Sequence, residues 1–113
     1  MNTGVKDAVL SNELLGNYFE RLVNKFFKIL PMRENAEESL SVYVQSLLAE
    51  LLGAGNLIPN MKNDADYLTI LAVLQYLTDH PKCKVSDVKR EVFGAISVCN
   101  KLRLRYVSEV DRR

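Results

Sequence analysis

The side chains able to carry chemistry are few. His80, the only histidine, stands three residues before Cys83, and a thiol beside an imidazole is the raw material of nucleophilic catalysis. No nucleophile signature surrounds Cys83, so His80 is expected at the end of a helix before Pro81, where an imidazole meets the last carbonyls and the negative end of the dipole. Glu37 and Glu38 set two carboxylates together, as general acid and base work requires. A first helical turn is also where negative charge suits the dipole, and that is their expected place. Gly53-Ala54-Gly55 lacks the lysine, the preceding strand and the following helix start of a phosphate cradle, and reads as a helix terminator. Asp64 and Asp66 lack the twelve-residue calcium loop. Two cysteines, Cys83 and Cys99, are too few for a disulfide framework and too far apart for a metal knuckle. They read as reduced thiols, with Cys99 a small buried hydrophobe. No catalytic residue, cofactor-binding residue or metal ligand is assigned, and the chain is expected to be no enzyme and to need no cofactor.

Charge offers one asymmetry. Residues 82–106 carry seven basic side chains against two acidic ones, and Arg90, Lys101 and Arg105 fall within roughly 60° of one another at helical pitch. A basic outer face of this kind meets phosphates or an acidic protein. Candidate contacts are Lys89, Arg90, Phe93, Lys101, Arg103 and Arg105. The same stretch admits a helix-turn-helix, with 85–88 opening a scaffold helix, a turn at 92–94 and a recognition helix over 95–105. Against it, a valine stripe runs in phase straight through Gly94.

Four helices must position these groups. The first covers about 12–30 and ends at Pro31; its apolar arc, from Leu14 to Leu30, spans on the order of 220°, enough for two neighbouring helices or a second chain. The second, about 35–53, starts at an Asn35 cap with Glu38 reaching back, and closes on Gly53 and Gly55 in left-handed geometry. Residues 56–63 follow as an irregular lid, with Leu57, Ile58 and Met61 tucked under the bundle. The third, about 64–79, starts from Asn63 or Asp64 and is the most apolar, so it is expected to be central and buried nearly all round. The fourth, about 86–106, carries Val85, Val88, Val92, Ala95, Cys99, Leu102 and Tyr106 at alternating three- and four-residue steps.

One hundred and thirteen residues, 48% hydrophobic and 26% charged with a formal net charge of +1, make one domain and exclude a histone-like polycation or an acidic tail protein. The longest apolar run is five residues where a membrane span needs about twenty, and no secretory leader pattern opens the chain. The expectation is a single all-α domain: a small four-helix antiparallel bundle in the cytoplasm, third helix central. Its expected function is non-catalytic protein–protein interaction, as a small adaptor, assembly subunit or inhibitor that presents helix surfaces. The aromatic arc of the first helix also allows a homodimer. The alternative is nucleic-acid binding through the basic region of 84–105.

Overall fold

Apolar residues at helical spacing dictate the architecture. The computed structural model describes the backbone of residues 3–58 and 60–111 and the side chains of 13–58 and 60–106. It is all-α: α1 (Thr3–Phe27), a short α2 (Ile29–Glu34), α3 (Leu40–Leu57), a 3₁₀ turn (Met61–Asn63), α4 (Ala65–Asp79) and α5 (Val85–Asp111). The four long helices run up, down, up, down. Phe19 of α1 stacks on Tyr106 of α5 and Phe27 meets Phe93, so these two helices are antiparallel. Tyr67 of α4 donates to the carbonyl of Leu51 in α3 at 2.9 Å, and Tyr43 of α3 donates to the carbonyl of Lys25 in α1 at 2.7 Å. At about 1.5 Å per residue, α1 and α5 are each close to 40 Å long and outrun α3 and α4. The molecule is accordingly elongated, 50 × 23 × 21 Å, and its 7090 Å² of accessible surface exceeds the ~6,300 Å² of a compact globule of this mass.

The core is one cluster, with Phe19, Phe26, Ile29, Leu51, Ile70, Leu74, Val92, Cys99 and Leu102 fully enclosed. The wide apolar arc of α1 packs along α5, and α1 meets α3 through side chains, with the Tyr43 hydroxyl on the Lys25 carbonyl and Lys25 paired with Glu50. α4 lies between α3 and α5, while α5 touches α1, α2 and α4. Burial all round is corrected: Ala65, Thr69, Ala72 and Gln75 face solvent, and Leu68 is 47% exposed. With only four long helices, each keeps a face for water.

Several boundaries also differ from expectation. Pro31 does not end the first helix; α1 stops at Phe27, and Pro31 sits in the opening turn of α2, where its missing N–H is not needed. The second helix starts not at Asn35 but at Leu40, because Ala36 takes a left-handed φ of 51° and turns the chain first. Its end is four residues later than expected. Gly53 and Gly55 are helical, no described glycine has positive φ, and the reversal falls on Asn60 at φ 65°. In the lid, Met61 is buried and Ile58 half-buried, whereas Leu57 points out. α5 runs without interruption through Gly94, so the turn that a helix-turn-helix needs at 92–94 is not formed.

Candidate functional site

Two phenylalanines define the most distinctive surface. Phe27 ends α1 and Phe93 lies one turn after Lys89 in α5; their rings meet edge-on, centroids 6.2 Å apart and planes at 76°. Both are half in water, Phe27 44% and Phe93 49% exposed. Their immediate neighbours in sequence, Phe26 and Val92, are fully buried, so each ring is carried on backbone that the core fixes. Edge-to-face contact of this kind is the favoured aromatic geometry. At helical pitch Val23, half-buried, continues the patch along α1, and Lys28 and Lys89 flank it. Among the described residues, neither lysine has an ion-pair partner.

The six candidate contacts divide between two sides of α5. Lys89 and Phe93 face the α1 seam. Lys101 and Arg105 reach the other way, to α4. Arg105 grips Asp64 at 2.6 Å and Asp66 at 2.7 Å, and Lys101 reaches Asp66 at 3.4 Å. Arg90 folds onto Asp87 and Glu91 of its own helix, at 3.2 and 3.5 Å. Arg103 is half-buried. The basic face is thus largely neutralised from within. A phosphate would have to displace a carboxylate at three of these five cations, which removes much of the counterion gain that drives nucleic-acid binding.

Asp64 is the pivot of that arrangement. Its Oδ1 accepts from the backbone N–H of Asp66 at 2.9 Å and of Tyr67 at 3.1 Å, capping α4. Burial alone would raise the carboxyl, but the Arg105 guanidinium and the two backbone donors outweigh it and hold Asp64 below the usual carboxylate range. Sequence reading offered Asn63 or Asp64 as this cap; it did not find the α5 cations that converge on Asp64 and Asp66, because 35 to 41 residues separate the partners.

A concavity lies at one end of the bundle. Its volume is about 430 Å³, with Ile29, Leu40, Val44, Leu77 and Val88 at its floor and Arg33, Glu37, Glu38, His80, Lys82 and Cys83 about it. Arg33 donates through Nη2 to the carbonyl of Cys83 at 2.8 Å, tying α2 to the turn between α4 and α5. His80 serves as expected at the end of α4: Nδ1 lies 2.9 Å from the Tyr76 carbonyl, and its ring stacks on Tyr76 at 4.3 Å. Among the described residues no hydrogen bond joins the imidazole to the Cys83 thiol. Glu37 and Glu38 are exposed in the turn before α3, one element earlier than their expected helical turn. The mouth carries both signs of charge in balance and the floor is apolar.

Among the described residues no group of three or more His, Cys, Asp or Glu converges as a metal site, and no helix is long and apolar enough to cross a membrane. Sequence reading placed Phe27 in the aromatic arc of the first helix without singling it out, and the structure leaves it 44% exposed at the end of α1. No family model matches the chain, and neither the curated proteins nor the solved structures contain a match.

Proposed function

We propose that this chain is a non-catalytic protein-interaction module, a small adaptor, assembly subunit or inhibitor that docks the seam of α1 and α5 onto a larger protein. The observation behind this reading is the exposed Phe27–Phe93 pair. Rigid aromatic anchors lose little conformational freedom on binding and concentrate interface energy. Lys28 and Lys89 beside the rings favour a partner that offers apolar side chains with acidic residues next to them. Two free thiols, Cys83 and Cys99, support a reducing compartment such as the cytoplasm.

The experiment is affinity capture from the native source with the wild-type chain and with a Phe27→Ser/Phe93→Ser variant. Both rings are surface groups, so the double variant keeps its core and its helical circular dichroism. The wild type is expected to retain a protein that the variant loses. With that protein purified, each single alanine substitution weakens binding at least about tenfold, or ~1.4 kcal/mol. Retention of the same proteins at the same level by both baits refutes the reading.

A further inference from the structure

Charge is distributed unevenly over this bundle. Of the chain's 29 charged residues, only five lie in 39–79, a stretch that includes both α3 and α4. The one charge in α3, Glu50, turns to α1 and meets Lys25 at 2.8 Å. In α4, Asp66 turns to α5 and Asp79, at the last position, accepts from Gln75 at 3.0 Å. The outward side of these two helices is left without a charged side chain from Val42 to Gly53 and from Leu68 to Thr78. Half of the large exposed hydrophobic residues among those described are on these helices: Val42 at 66%, Leu57 at 85%, and Leu52 and Leu68 at about half. Exposed Ala49 and Ala72 lie between them, at a helical phase well away from the core.

We infer that a second copy of this chain covers the outer face of α3 and α4, as a two-fold dimer whose interface is separate from the α1/α5 seam. An uncharged face offers a different protein no electrostatic handle for steering or discrimination. A two-fold axis brings the same face against itself, so uncharged surface meets uncharged surface and no ion is desolvated. The formal net charge of +1 sets up no repulsion between copies. The size also fits. With 18 residues in α3 and α4 packed about 8–10 Å from it, the face measures about 27 by 20 Å, on the order of 500 Å² in flat projection. Side-chain relief raises the accessible area above that figure, towards the ~800 Å² per partner of a stable complex.

Sedimentation equilibrium or light scattering tests this from micromolar to hundred-micromolar protein. The wild type is expected at twice the 12.8 kDa chain mass. Ala49→Glu/Ala72→Glu places charge on the face without removing any apolar group, and is expected to be monomeric with unchanged helical circular dichroism. Ala49→Lys/Ala72→Lys behaves likewise, and an equimolar mixture of the two recovers the doubled mass. Phe27→Ser/Phe93→Ser remains dimeric, which keeps this result distinct from the docking function. A monomeric wild type, a dimer indifferent to both charged variants, or a dimer lost only in the phenylalanine variant overturns the inference.

Discussion

Gly53 and Gly55 stand two residues apart in α3 under opposite constraints. A Cβ at Gly53 would meet nothing within 4 Å, whereas one at Gly55 would overlap the Tyr67 hydroxyl that donates to the Leu51 carbonyl. Gly53→Ala is therefore expected to stabilise the fold by about 0.5–1 kcal/mol through helix propensity. Gly55→Ala is expected to destabilise it by about 1–3 kcal/mol, since the ring must move and its hydrogen bond weakens. Urea unfolding of the two variants checks both signs, and a stabilised Gly55→Ala would contradict the packing described. The thiols differ in the same local way. Cys99 is fully buried and its pKa is pushed up to about 12 by desolvation, while Cys83 is half-buried. Brief alkylation at neutral pH should modify Cys83 and spare Cys99 until the chain unfolds, read by peptide mass spectrometry. The burial of Cys99 was legible from its place in the valine stripe. The helical state of the two glycines was not, because their composition suits a terminator and only the reach of Tyr67 from α4 explains why Gly55 is needed inside the helix.

At the scale of elements, α4 illustrates how local and distant determinants combine. Its cap was legible because Asp64 precedes an apolar helical run, a relation within four residues. Its ion pairs with Arg105 and Lys101 join α4 to α5 and depend on the antiparallel register. Asp64→Ala removes the cap and the stronger pair together, for an expected loss of about 1–2 kcal/mol, of which the partly solvated pair supplies the smaller share. Asp64→Asn keeps the cap oxygen and should cost less. The pH dependence has a definite sign. The folded carboxyl lies below its ordinary value of 3.8, so its contribution is complete above that value and fades as pH falls through the folded one. Urea midpoints of the wild type should decline in that acid range, and those of Asp64→Asn should decline less. The α1/α2 break was illegible for a different reason. Proline is excluded from helix interiors but welcome in a first turn, and the sequence does not say which of these Pro31 occupies.

For the whole molecule, the four apolar stretches sufficed to read an antiparallel bundle, because each stripe has to find cover and short connections leave few ways to provide it. Which surfaces stay uncovered was less legible, since exposure follows from helix length and phase across the assembled structure. Phe93 was recognised as an outward residue and Phe27 was not, although they form one patch. The cations of α5 looked free in sequence, yet Lys101 and Arg105 are engaged by Asp64 and Asp66 at the start of α4, and Arg90 by acids of its own helix. Fluorescence anisotropy with short duplex DNA at low salt is accordingly expected to show no binding that falls steeply with added salt, and a steep slope would restore nucleic acid as the ligand. The central claim is that the seam of α1 and α5 docks the partner. Its most direct test is backbone amide chemical-shift mapping of the chain with the captured protein added. Perturbations are predicted to centre on residues 20–31 and 86–100; a footprint centred instead on the hollow at 33–44 and 77–88, or on α3 and the outer side of α4, would contradict it.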